Sequence, residues 1–308
     1  MALRTPEGTP DGRNPGGRDP MLAHDAEILE AASRLRPLSH STAALVELTS
    51  RDGVDMREIG QVVTNDQVLA AAVLREANSA ASGALEQIGS VDQALVRLGL
   101  ARVLSVAVRS SVAKELHAAV PQYGLVEGDL ALDSVVGSIA AEVVRDRARV
   151  ALPPETSTAA LLRDIGLLVL STFLDAPHLA LLGLTREAGI PLASGERMVL
   201  DANHAEVGAV LCQAWKFSDV VRQGVQYHHE PEECEEPIAQ ALYVADAVAR
   251  TIADRTERTW SHAEHDDEVL AGAMAALGID PADFADLVEE TIERFQARDT
   301  GLELGIAD

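Results

Sequence analysis

Apolar residues recur at helical spacing along most of the chain. Ile59, Val62, Val63, Val68, Leu69, Ala72 and Val73 share one face of a 3.6-residue period, interrupted near Asn65-Asp66. Residues 25–35 and 41–50 predict two short amphipathic helices parted by Pro37. Ser90 is placed to cap a helix carrying Val91, Ala94, Leu95 and Leu98; Gly99 breaks it, and a second helix runs through Val103, Leu104, Ala107, Val108 and Val112. Further helices are predicted over residues 130–147, 158–173, 177–188, 194–200, 203–215, 218–229 (capped by Ser218), 238–252, 267–277 and 281–296. The last of these is opened by Asp280, with Pro281 at its first position. No run alternates as a strand does, so the predicted fold class is all-α, a multi-helix bundle.

Breaks in this pattern divide the chain. Residues 1–23 form a Pro/Gly-rich tail that cannot bury enough apolar surface to order itself. Residues 24–120 form an N-terminal helical half and residues 121–252 a second helical half. Residues 253–308 supply acidic helices expected to pack on the latter.

Composition narrows the class. Apolar residues make up 47% and aromatics only 3%, so the core is built from Ala, Leu and Val, which favour helix-on-helix packing. A net charge of −24, with no Lys/Arg cluster, repels phosphate backbones and argues against a nucleic-acid partner. Cys212 and Cys234 form no C-x-x-C pair, which points to free thiols in a reducing compartment. The apolar run over residues 165–170 is too short to span a bilayer, and the N-terminus lacks a basic segment followed by an apolar one. The expectation is a cytoplasmic protein without a membrane partner.

Several polar residues sit where packing does not call for them. Arg163-Asp164 interrupts an apolar helix-like run, and Asp246 interrupts another over residues 241–248, where a carboxylate needs a partner. His204 opens a helix, and the pair His228-His229 ends one, favourably for the helix dipole. Asp164 and Asp246 are expected inward ahead of any histidine, with one of His228 and His229 buried and the other exposed. His204-Ala205-Glu206 is not followed by the Pro-Cys-x-x-Cys of a zinc deaminase. His262, Glu264, His265, Asp266 and Asp267 could bind a stray metal but read more readily as a solvated acidic loop, and Gly83 and Gly89 do not form a phosphate-binding loop.

Asn65-Asp66, Ala77-Asn78-Ser79, Ile88-Gly89-Ser90 and Ala94-Leu95-x-x-Leu98-Gly99 resemble the N-terminal half of HDOD domains. Asn203-His204-Ala205-Glu206-Val207-Gly208-Ala209, Trp215, His228-His229-Glu230-Pro231 and Ala245-Asp246 resemble the second half, so that the resemblance covers residues 35–252. It implies an all-helical relative of the HD and HD-GYP metal-dependent phosphohydrolases, of a kind found mostly in bacterial signalling. By the same resemblance the HD pair falls on Arg163-Asp164, and an earlier histidine of the superfamily falls on Asp133. His204, one of His228 and His229, and Asp246 match the remaining positions. The Gly-Tyr-Pro signature is absent.

An HD-type centre uses imidazoles and carboxylates to hold divalent cations that activate water. Arginine cannot be a ligand, since it stays protonated and only donates. Arg163 among Asp133, Asp164 and Asp246 is therefore expected to supply the positive charge that a metal supplied. The implied function is a non-catalytic signalling or regulatory protein without a cofactor. It would act on a protein partner or a nucleotide ligand, or as a homodimer. The alternative is a metal-dependent phosphohydrolase of nucleotides or cyclic dinucleotides, its cation held by Asp133, Asp164, His204, His228 or His229, and Asp246.

Overall fold

The computed structural model describes residues 30–31, 34–51, 53–83, 87–256, 265–298 and 300–304. The tail expected over residues 1–23 lies outside these, as does most of the first predicted helix and His262 and Glu264. Every regular element among the described residues is helical; a lone β-bridge joins Val120 and Leu125.

The N-terminal half comprises α1 (His40–Thr49), α2 (Met56–Asn65), α3 (Gln67–Ala77) and α4 (Val91–His117). Asp66 separates α2 from α3 because it leaves helical geometry and its carboxylate accepts from the Val68 and Leu69 amides, capping α3. Ser90 caps α4, and Gly99 is non-helical within it.

The second half is α5 (Asp129–Arg147), α6 (Thr156–Leu162), α7 (Gly166–Leu170), α8 (Ala176–Glu187), α9 (Leu192–Leu200), α10 (His204–Ala214), α11 (Asp219–Gln226) and α12 (Ile238–Arg255). Beyond it lie α13 (Asp267–Ala276), on α12, and α14 (Phe284–Gln296), on α5 and α12.

Helix α5 is the axis. Every residue from Asp129 to Val144 is buried, because α4, α6, α12 and α14 cover it on all sides. The sequence reads it as amphipathic. The structure corrects this: its polar residues Asp133, Ser134, Ser138 and Glu142 point into neighbouring helices.

The helix predicted over residues 158–173 is not continuous. The chain tightens after Leu162, with Ile165 N–H bonded to the Leu162 carbonyl and Leu167 N–H to the Asp164 carbonyl, each at 3.0 Å. Gly166 follows because α10 lies directly against it: a Cβ there would collide with the His204 carbonyl and the Gly208 amide. The 18-residue stretch Thr156–Phe173 is apolar and long enough to cross a membrane, but it is 78% buried inside the bundle.

A buried charge network ties the two halves together. Arg102 on α4 donates from Nη2 and Nε to Glu76 of α3 at 2.5 and 3.0 Å, and from Nη1 to Glu142 of α5 at 2.9 Å. Arg298, after α14, reaches Glu142 at 2.6 Å, and Arg109 reaches Glu76 at 3.3 Å. Burial pushes the Glu76 carboxyl up, but Arg102, Arg109 and Arg298 outweigh it and hold it below the usual range. Such a group adds stability above its unfolded pKa of about 4.3, and the contribution is lost as pH falls through the folded value. Glu76→Gln is expected to lower the unfolding free energy by about 3 kcal/mol at neutral pH. It should also flatten the loss of stability in acid, which urea unfolding across pH would measure.

Candidate functional site

Asp133, Arg163, Asp164, His204, His228, His229 and Asp246, carried by separate segments of the chain, converge. Arg163 is fully buried at the end of α6. Its Nε lies 2.7 Å from Asp246 Oδ1 of α12 and 3.1 Å from Asp164 Oδ2. Its Nη2 lies 2.5 Å from Asp133 Oδ2 of α5, and Nη1 donates to the Ala160 carbonyl at 3.1 Å. Space for the guanidinium comes from Gly137, one turn beyond Asp133, where a Cβ would overlap Nη1 and approach the guanidinium carbon to 2.8 Å. A glycine inside a helix is intrinsically unfavourable, and this close approach is its reason here.

Burial disfavours the charge on Arg163, but Asp133, Asp164 and Asp246 reverse that and keep it protonated. Burial also opposes ionisation of Asp164, yet Arg163, His204 and His228 hold its carboxyl well below the usual carboxylate range. Asp133 goes the other way: burial, reinforced by Asp164 and Asp246, raises it despite Arg163.

On the far side of Asp164 lie three imidazoles. His204, the first residue of α10, has its Nδ1 2.6 Å from Glu196 Oε2 of α9, and its Nε2 lies 2.8 Å from His229 Nε2 and 3.3 Å from Asp164 Oδ1. Burial works against a charge on His204, but Glu196 and Asp164 prevail and push it up to about 10. His229 is held well below its usual value by burial and by His228 and His204, so it accepts the proton that His204 donates. His228 donates from Nδ1 to the Val225 carbonyl at 2.7 Å, which turns its Nε2 toward the site. That Nε2 is buried without a hydrogen-bond partner, 3.7 Å from Asp164 Oδ1.

Two expectations need correction. The histidines are not outranked by the aspartates in burial: His204 and His228 are 2% and 0% exposed, whereas the Asp164 side chain is 13% exposed. Of the histidine pair, His228 is buried as expected, whereas His229 is half-buried rather than exposed, its ring 4.0 Å between centroids from that of His228 and its Nε2 on His204.

The residues fit a metal unevenly. Asp133, Asp164 and Asp246 could gather round a cation, but Arg163 is bonded to all three. Asp164, His204, His228 and His229 each offer one ligand atom, all within 4.8 Å of one another. Glu196 orients His204 through its second nitrogen, as outer carboxylates do for metal-bound imidazoles. On this side only a proton has to leave.

Sequence reasoning missed Glu196 and His265. Glu196 is fully buried, and the signal was available: an acidic residue on the same α9 face as Leu192, Val199 and Leu200 is as anomalous as Asp246. His265 gave no local signal. Far from lying in a solvated loop, it is 10% exposed, stands edge-on to Tyr243 at 5.0 Å and approaches Asp246 to 3.8 Å. Its neighbour Asp266 caps α13. Asp133, Asp164, His204, His229 and Asp246 open onto a cleft of about 180 Å³, walled by Leu130, Leu167, Leu192, Tyr243 and Val269.

Residues 35–231 match the family model of the HDOD domain, a segment that stops short of α12 and Asp246. A Shewanella amazonensis SB2B structure provisionally named a phosphohydrolase is 24% identical, with a TM-score of 0.65 over 89% of this chain and 98% of that one. An HDOD domain protein of unknown function from Geobacter sulfurreducens is 18% identical, with a TM-score of 0.65 over 92% and 98%. A Marinobacter aquaeolei VT8 structure provisionally named a signal transduction protein is 20% identical, with a TM-score of 0.63 over 90% and 64%. These likenesses are of fold. An uncharacterised protein of Treponema pallidum (strain Nichols) is 21% identical over 232 residues, 73% of this chain, and the chain spans 44% of that relative's length. With the HDOD model matching well over half of its residues, the chain belongs to the HDOD family.

Proposed function

We propose that this chain is a non-catalytic signalling module that acts by docking a protein partner. The observation that carries this reading is the bonding of Arg163 to Asp133, Asp164 and Asp246. A fixed guanidinium satisfies the carboxylates on which a catalytic cation would depend, and it neither activates water nor accepts a proton. A docking role is supported by the α8–α9 pair, where Leu181, Leu184 and Met198 are 50, 60 and 69% exposed. The same α9 carries Glu196 and lines the cleft through Leu192 and Ala193, so a partner bound there would lie next to the site.

A second reading, an altered metal-dependent phosphohydrolase, rests on the unpartnered His228 Nε2 facing Asp164. In that reading Asp164, His204, His228 and His229 would hold the cation, while Asp133 and Asp246 stay with Arg163. A bound divalent cation supplies Lewis acidity and lowers the pKa of water.

Hydrolysis of nucleoside phosphates and cyclic dinucleotides with added manganese is expected to be absent; turnover abolished by Asp164→Ala would establish the second reading instead. Elemental analysis of Arg163→His should show metal uptake that the wild-type carboxylates do not support, together with a lower melting temperature in chelator. One equivalent of zinc bound by the wild type, lost in His228→Ala but kept in Asp133→Asn, would place a cation on the imidazole side. Gly137→Ala should cost about 2–3 kcal/mol by displacing the guanidinium. Gly183→Ala, inside α8 with nothing near its Cβ position, should raise stability by up to about 1 kcal/mol in the same denaturation series.

A further inference from the structure

A second cavity, of about 210 Å³, lies between α4, α5 and α6 and is lined by Ser82, Arg97, Arg102, Glu142, Arg145 and Ser157. On α5, Glu142 is nine residues past Asp133, roughly 14 Å along the helix, so this cavity is separate from the cleft at Arg163. No run of basic residues in the sequence announces it. The arginines come from two helices, ten or more turns apart in the chain, and the fold gathers them in a protein whose net charge is −24.

The local balance is cationic. The carboxylates within reach are already divided: Glu76 and Glu142 serve Arg102, Arg109 and Arg298, two acids against three bases. Arg97 adds a charge whose hydrogen bond among the described residues is to the Ser82 carbonyl. Arg145 adds another; its acid, Asp146, is 3.4 Å away and is held more closely by Arg294 at 2.8 Å. Crowding of positive charge is visible at Arg298, held below its usual value first by burial and then by Arg102, against the pull of Glu142 and Glu76. Ser157 is 2% exposed and lines the cavity.

We infer that this cavity binds a small phosphate-bearing anion, held by the guanidinium groups of Arg97 and Arg145 and the Ser157 hydroxyl. Planar guanidinium forks match phosphate oxygens in pairs, and the flanking hydroxyl completes the shell. The enclosing surface charge excludes an extended polyanion while admitting a small one, since screening confines the repulsion to about 8–10 Å. Occupancy would tie α4 of the N-terminal half to α5 and α6 of the second half, beside the Arg102 network that already joins them.

The test is calorimetric titration of the full chain with inorganic pyrophosphate, and in parallel with a nucleoside diphosphate, at low ionic strength. The expected result is one saturable site, weakened at least tenfold by Arg97→Ala combined with Arg145→Ala, an exposed and a half-buried position, and unchanged by Leu192→Ala on the wall of the other cleft. Ser157→Ala, checked for folding by circular dichroism, should weaken binding several-fold. Tighter binding of the nucleoside diphosphate than of pyrophosphate would identify a nucleotide as the phosphate source, and equal binding a free phosphate. Absence of saturable binding, binding insensitive to the arginine pair, or binding lost in Leu192→Ala would each overturn the inference.

Discussion

A guanidinium buried to the last atom sets the terms for the rest of this molecule. Removing such an ion from water costs several kcal/mol even after relaxation, and it persists only where charge and hydrogen bonds replace the lost hydration. Asp133, Asp164 and Asp246 supply the charge and the Ala160 carbonyl part of the hydrogen bonding. Other features follow from that requirement. Helix α5 gives up a side chain at Gly137 to make room, and the apolar helix carrying Arg163 breaks directly after it, so that Arg163 and Asp164 both serve the interior. Helix α12 brings Asp246 from the opposite side, which fixes how it crosses α5.

The site has two faces that meet at Asp164. On one, a covalently attached cation is locked among carboxylates. On the other, a proton between His204 and His229 does the same for the imidazoles, under the influence of Glu196. The two differ in how readily they can be exchanged. A side chain anchored in α6 cannot leave, whereas a proton exchanges with solvent. Buried ion pairs of this sort are weak evidence for stability and often serve to select one packing arrangement over others. Here the arrangement selected is the crossing of α5, α6 and α12.

Charge is distributed with the same economy. The exterior is strongly acidic, yet the arginines that survive inside are concentrated at two places: Arg163 at the cleft, and the Arg102 network between the halves. Each sits where helices from distant parts of the chain meet. Positive charge in this protein therefore acts as a joint between elements, while the excess acid stays at the surface.

Helix positions were legible from the sequence because they rest on local rules. The period of Ile59, Val63 and Val73, the caps at Ser90 and Ser218, the interruption near Asn65-Asp66 and the break at Gly99 depend on residues within one or two turns. Asp164 and Asp246 were legible as anomalies for the same reason, each being a charge within an apolar run. The family resemblance then tied Asp133, His204 and His228-His229 to them. Local rules could not contain the pairing of Arg163 with those carboxylates, which the sequence suggested only through the family resemblance. Asp133 and Asp246 lie 30 and 83 residues from Arg163, and only the packing of α5 and α12 on α6 brings them within bonding distance. The recruitment of Glu196, the inward turn of both histidines, the place of His265 and the gathering of arginines around Glu76 and Glu142 were decided in the same way. Secondary structure is settled by short-range geometry along the chain, whereas an ionic site is settled by which faces of separate helices meet once their apolar surfaces are buried together.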